Sequence, residues 1–112
     1  MSRVIFSIKY DIIPEKRKEY LEIIRELKNV VKSEGLEDYS VFEEKGKENR
    51  FEEIYIYKSK EAWEEADEVD NERADILMSK LSDLIIAKTT HYSTLFEVED
   101  TVLVWQLNFY LK

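Results

Sequence analysis

With 112 residues the chain is long enough for one domain around one hydrophobic core, and it contains no cysteine, which excludes disulfides, thiolate nucleophiles and cysteine-ligated metals. Its formal net charge of −8 disfavours nucleic acids and anionic membranes as partners, because their phosphates repel a protein without a basic patch. Residues 1–13 lack the unbroken apolar run of a secretory signal, and no window resembles a membrane-spanning helix, so we expect a cytoplasmic protein.

The N-terminal third of the chain predicts a strand followed by a helix. Apolar and polar residues alternate from Val4 to Ile12, which indicates a β-strand with one strongly apolar face. Pro14 ends this strand and suits the first turn of a helix. From residue 15 to about residue 34 the apolar residues have helical spacing, and Gly35 is the expected C-terminal cap.

The rest of the chain predicts a hairpin, a second helix and a last strand. Residues 39–44 and 51–58 read as strands joined by a polar loop. Ser59 is a natural N-cap for a helix that extends to about Lys88, with a break near Asp70. Residues 91–99 form the fourth strand. The βαββαβ order predicts an α+β fold, a ferredoxin-like sandwich with an antiparallel sheet and both helices on one face.

Two features predict that this sheet has a partner. Its face away from the helices is expected to carry apolar side chains that a two-layer domain would leave exposed to solvent, namely Ile5, Tyr55, Tyr57 and Leu95. Residues 101–111 are apolar on both sides of an extended strand. We therefore predict one domain over residues 1–112, with a core at 3–99 and the last strand at a homodimer interface; alternatively, that strand joins its own sheet edge.

Strand alternation also predicts a pocket on the face away from the helices. If Ile54 and Ile56 face the helices, the residues between and beside them point to the other side. The first and last strands would add further polar groups to that side. The predicted pocket contains Ser7, Lys9, Glu53, Tyr55, Tyr57, His91 and Ser93. A few polar groups among apolar walls are typical of a small-molecule site, and we expect neither a metal nor a cofactor in it.

Proton transfer is the chemistry that these residues favour. His91 is the only histidine and would titrate near neutral pH, although it could equally cap the sheet edge. Glu53 lies beside aromatic residues that would raise its pKa, and the alternative is a solvated carboxylate paired with Lys9. Trp63 could contact a ligand or anchor the core.

Several of these features resemble the dimeric α/β-barrel superfamily, which includes antibiotic-biosynthesis monooxygenase-like domains, stress-response barrel proteins and L-rhamnose mutarotases. The resemblance rests on the element order, on Pro14, and on the sequence 57–63 that opens the second helix. Residues 32–42 and 95–98 are most similar to L-rhamnose mutarotases. The resemblance implies a homodimer with sheet packed on sheet. Tyr20 matches the mutarotase tyrosine, whereas Ile24 stands where that family has its histidine, and the family's tryptophan pair is absent.

Three functions remain open from the sequence. The main hypothesis is a small-molecule-binding barrel of mutarotase-like descent, in which Tyr20, Glu53 or His91 would transfer protons during cofactor-independent opening and closure of a sugar ring. The first alternative is a non-catalytic stress-response or binding barrel. The second is a cofactor-free monooxygenase that acts on an aromatic substrate, which Tyr55 and Trp63 suggest together with Tyr57.

Overall fold

The computed structural model describes residues 2–66 and 71–98, and they form a four-stranded antiparallel sheet with helices on one face. The sheet order is β2-β3-β1-β4. The strands are β1 (Val4–Asp11), β2 (Leu36–Glu43), β3 (Arg50–Tyr57) and β4 (His91–Phe96), and the helices are α1 (Arg17–Val30), α2 (Lys60–Glu65) and α3 (Glu72–Ser82). The predicted α+β ferredoxin-like fold is confirmed.

Helix α1 begins as the sequence predicts but ends earlier. A 3-10 turn over Pro14–Lys16 leads into it, and it buries one side along its length. Val31 already has an extended backbone, so Gly35 is not the cap of this helix. Gly35 has φ +87° in the turn into β2, and a Cβ there would lie 2.5 Å from the Cβ of Ala62. Glycine is needed because this turn packs against the start of α2.

The second helical region is divided into α2 and α3, in agreement with the predicted break near Asp70. The Ser59 hydroxyl accepts the backbone N–H of Ala62 at 3.1 Å, which confirms the N-cap of α2. Asn71 caps α3, because its side-chain oxygen accepts the backbone N–H of Ala74 at 3.0 Å. Its side-chain amide also donates to the carbonyl of Val30 at 2.8 Å. The predicted extension to Lys88 is wrong, because α3 ends at Ser82 and the following residues bridge to the end of β1.

The register of β3 corrects the predicted face of that strand. Tyr55 pairs with Phe6, and Glu53 pairs with Ile8, so both face the helices together with the apolar side of β1. Ile54 and Ile56 therefore point to the opposite side, which we call the open face. The prediction failed because both sides of β3 carry apolar residues, and alternation alone does not decide which side meets the helices.

The open face still carries the apolar residues that the sequence placed there from β1 and β4. Leu95, Ile5 and Ile56 lie side by side across β4, β1 and β3. Leu95 is 59% exposed, and Phe42 on β2 is 57% exposed. Strand β4 ends at Phe96 rather than residue 99, and the predicted strand over residues 101–111 lies outside the described residues. No described helix has the length and apolar character to cross a membrane.

Candidate functional site

Glu53 lies at the centre of a buried group of tyrosines between the sheet and the helices. Its side chain is 1% exposed. One carboxyl oxygen accepts the Tyr10 hydroxyl at 2.7 Å, and the other accepts those of Tyr39 at 2.8 Å and Tyr55 at 3.3 Å. The Tyr20 hydroxyl lies 2.8 Å from that of Tyr10. We call Glu53 and these four residues the tyrosine cluster.

Three strands and one helix bring the tyrosine cluster together. On β3, alternation places Glu53 and Tyr55 on the same face, two residues apart. Strand β2 contributes Tyr39 directly opposite Tyr55, with their ring centroids 4.7 Å apart. Tyr10 comes from β1, and Tyr20 reaches down from α1. A tyrosine buried in a core needs a partner for its hydroxyl, and Glu53 serves several of them at once.

Burial controls the acidity of the whole cluster. It raises the pKa of Glu53 above the usual range, although the hydrogen bonds from the tyrosines oppose this effect. Burial and then the charge of Glu53 raise the pKa values of Tyr10, Tyr39 and Tyr55. Within the described ranges, no lysine or arginine forms an ion pair with Glu53. The tyrosines therefore remain donors, and Glu53 is the group of the cluster that can accept a proton.

A cavity of about 580 Å³ lies next to the tyrosine cluster, between the sheet and helices α2 and α3. Its walls combine apolar and polar residues, and four aromatic residues belong to them, namely Phe6, Tyr55, Tyr57 and Trp63. Tyr55 and Tyr57 lie nearly parallel, with ring centroids 6.4 Å apart. Because Tyr55 both lines this helix-side cavity and bonds to Glu53, it connects the cavity to the buried carboxyl.

The structure divides the predicted site residues between the two faces of the sheet. The helix side contains Tyr20, Glu53, Tyr55, Tyr57 and Trp63. The open face contains Ser7 opposite Ser93, and Lys9 opposite His91. The single predicted pocket on the open face is therefore wrong, because the true register of β3 moves Glu53, Tyr55 and Tyr57 through the sheet. The chemical roles assigned to these residues stay predictions.

The residues left on the open face have surface environments. Lys9 lies 3.2 Å from Glu44 and 3.9 Å from Glu52, so its carboxylate partners are these two residues and not Glu53. His91 is exposed at the start of β4. Since His91 and Glu53 point to opposite sides of the sheet, they do not form one proton-transfer pair.

Sequence reasoning missed two members of the tyrosine cluster, Tyr10 and Tyr39. A signal for Tyr10 was present, because it falls on the same face of β1 as Phe6 and Ile8 and brings a hydroxyl into the core. Such a hydroxyl calls for a buried acceptor. Tyr39 had no comparable signal, because its place opposite Tyr55 depends on the pairing of β2 with β3.

Comparisons with known proteins agree with this fold. A family model described as antibiotic biosynthesis monooxygenase matches residues 1–70. A conserved protein from Methanosarcina mazei Go1 is 21% identical, with a TM-score of 0.71 over 85% of this chain and 92% of that one. A cofactor-independent oxygenase from Streptomyces nogalater is 14% identical, with a TM-score of 0.67 over 83% and 90%. A NIPSNAP family protein from Agrobacterium tumefaciens is 19% identical, with a TM-score of 0.68 over 90% of both chains.

These structural likenesses are below 25% identity and show the fold alone. No curated protein matches the sequence. The family match supports the monooxygenase branch of the predicted superfamily, and nothing in the comparisons supports the closer likeness to L-rhamnose mutarotase.

Proposed function

The chain belongs to the antibiotic biosynthesis monooxygenase family, and we propose that it binds a small aromatic molecule in the helix-side cavity and oxidises it with molecular oxygen, without a cofactor. The structural likeness to a cofactor-independent oxygenase suggests the reaction class. The observation that carries the proposal is Tyr55, which lines the cavity and donates its hydroxyl to the buried carboxyl of Glu53.

The cavity suits a planar aromatic ligand. Phe6, Tyr57 and Trp63 belong to its lining, and Trp63 makes an edge-to-face contact with Phe96, with ring centroids 5.8 Å apart. Aromatic ligands gain from such surfaces through apolar burial and through offset or edge-to-face ring contacts. Tyr20, the residue that matches the mutarotase tyrosine, is fully buried and bonded to Tyr10.

A cofactor-free oxidation requires a substrate that supplies the electrons itself, and an electron-rich phenol does so after it loses its proton. Glu53 is the base in this proposal, because burial raises its pKa and so makes it a better proton acceptor. Tyr55 passes the proton on, by giving its own proton to Glu53 as it receives that of the substrate. With 1-naphthol, the ring carbon para to the hydroxyl would bond one oxygen atom of O2. That carbon's hydrogen and the phenolic hydrogen leave with the other oxygen atom as water, giving 1,4-naphthoquinone.

We also propose that the protein is a homodimer joined through the open face. The row Leu95, Ile5 and Ile56 gives this face an apolar strip, and Phe42 extends the exposed apolar area on β2. A sheet whose second face is apolar needs a cover, and a second copy related by a two-fold axis provides one. In this arrangement each subunit keeps its own helix-side cavity.

Oxygen consumption with 1-naphthol tests the proposed reaction. We expect quinone to form with one atom from labelled O2, and we expect Glu53→Gln and Tyr55→Phe to lower the rate by roughly 100-fold or more, because general-base catalysis is lost. Glu52→Gln is the matched control, since Glu52 lies on the open face opposite Lys9. It should keep the rate of the unchanged protein.

Fluorescence of Trp63 separates binding from chemistry. The chain has two tryptophans, so Trp105→Phe leaves Trp63 as the only reporter. Quenching by 1-naphthol without oxygen uptake would show binding without oxidation. It would therefore contradict the oxygenase and favour the non-catalytic binding barrel. The absence of quenching by a panel of phenols and naphthols would remove the cavity as a binding site.

A further inference from the structure

Three charged residues line the helix-side cavity and have no role in the proposed reaction. Lys32 follows the end of α1, Glu64 is on α2, and Asp75 is on α3. All three side chains are exposed, so they lie where the cavity opens to solvent. Among the described residues none of them forms an ion pair or a side-chain hydrogen bond. Their charges are therefore available to a ligand.

The balance of these charges favours one sign of ligand. Among the described lining residues two carboxylates stand against one ammonium, so this part of the lining has a net negative charge beside aromatic rings. The aromatic residues of the lining, which include Tyr57 and Trp63, add to the attraction, because the π-electrons of aromatic rings attract cations. The net charge of the chain, −8, acts in the same direction at longer range.

We propose that the helix-side cavity selects aromatic substrates that carry a protonated amine, with Glu64 and Asp75 as specificity-determining residues. This inference rests on the proposed function in that it takes the cavity as the substrate site. The phenolic ring would lie deep, toward Tyr55, and the ammonium group would stay at the opening. Lys32 then lowers the affinity for cations and is the only one of the three charged residues that helps an anion.

A matched set of phenols isolates the effect of charge. Tyramine, 4-ethylphenol and 4-hydroxyphenylacetate share the phenol ring and differ in carrying a positive charge, no charge and a negative charge. Their dissociation constants can be measured by Trp63 fluorescence in the Trp105→Phe background. We expect tyramine to bind about tenfold more tightly than 4-hydroxyphenylacetate at low ionic strength, and the ratio to shrink as salt screens the charges.

Variants should move this ratio in opposite directions. Glu64→Gln and Asp75→Asn should each lower it about threefold, whereas Lys32→Gln should raise it by a similar factor. Glu65→Gln removes an exposed carboxylate of the same helix that does not line the cavity, and it should leave the ratio unchanged. Asp75 is in the first turn of α3, where a carboxylate also favours the helix. Asp75→Glu keeps the charge and should keep the preference.

The outcomes distinguish this inference from the proposed function. Equal affinities for the three phenols, together with turnover of 1-naphthol, would overturn the charge selection and leave the oxygenase. A preference for tyramine without any oxygen uptake would support the selection and overturn the oxidation. If the folded protein binds 1-naphthol and none of the three phenols, the charge selection alone fails. If it binds neither 1-naphthol nor any of the three phenols, both fail.

Discussion

Glu52 and Glu53 are adjacent in β3 and have opposite environments. Glu53 points to the helices, is 1% exposed and accepts three tyrosine hydroxyls, and burial raises its pKa. Glu52 points to the open face, where its side chain is 34% exposed and 3.9 Å from the ammonium of Lys9. Strand alternation alone thus makes one glutamate the buried acceptor of three tyrosine hydrogen bonds and leaves its neighbour as a surface counter-ion.

The largest expected effect is the loss of stability in Glu53→Ala, compared with the loss in Glu52→Ala. Glu53→Ala leaves the hydroxyls of Tyr39 and Tyr55 without their buried acceptor, while Tyr10 keeps the hydroxyl of Tyr20 as a partner, and each unpaired buried donor costs about 1–3 kcal/mol. We therefore expect the free energy of unfolding, from urea denaturation, to fall by at least ~2 kcal/mol. Glu52→Ala loses one long surface pair and should cost less than about 1 kcal/mol.

The same pair of variants can contradict this comparison. Equal losses from Glu52→Ala and Glu53→Ala would mean that the tyrosine cluster contributes no more than a surface ion pair. Replacement of Tyr39 and Tyr55 by phenylalanine in the Glu53→Ala background provides a check, since it removes these two unpaired hydroxyls and leaves the pair of Tyr10 and Tyr20 intact. Part of the lost stability should return if those hydroxyls are the cause.

The second prediction concerns the open face. Leu95→Asp puts a carboxylate on the apolar strip, and the two-fold symmetry would bury it twice in each dimer. We expect the dimer dissociation constant from sedimentation velocity to rise at least ~10-fold while the fold is retained. Leu21→Asp, at an exposed leucine on α1, should leave it unchanged. An unchanged protein that sediments as a monomer at micromolar concentration would overturn the dimer.

The sequence was sufficient for the fold and for part of the site. The N-cap at Ser59 and the break near Asp70 were predictable, because both depend on local side-chain chemistry that can be read from the sequence. The faces of β1 and β4 were also predicted correctly, because each placed an apolar side toward the helices. Burial raises the pKa of Glu53, but this residue lies on the helix side of the sheet and not on the face that the sequence predicted.

The tyrosine cluster could not be assembled from the sequence because it depends on register. Glu53 meets Tyr10 across 43 residues of sequence and Tyr39 across 14. In β3 the alternatives were isoleucines or tyrosines toward the helices, and both satisfy an apolar core. Only the pairing of Phe6 with Tyr55 decides between them.

The smallest expected effect is also the most specific to Glu53, and it appears as a dependence of stability on pH. The raised pKa means that between the unfolded value of about 4.3 and the folded value the native state binds more protons, so the free energy of unfolding falls as pH rises. Glutamine does not titrate. The stability of Glu53→Gln relative to the unchanged protein should therefore improve with rising pH, by up to about 1.4 kcal/mol per pH unit, from a pH-independent starting cost.

Glu43 and Glu97, whose pKa values their arginine partners lower to about 2, act in the opposite direction but are present in both proteins and cancel. Urea denaturation across this pH range measures the difference between Glu53→Gln and the unchanged protein. A difference that does not change with pH would mean that the tyrosine hydroxyls fully offset the burial of this carboxyl.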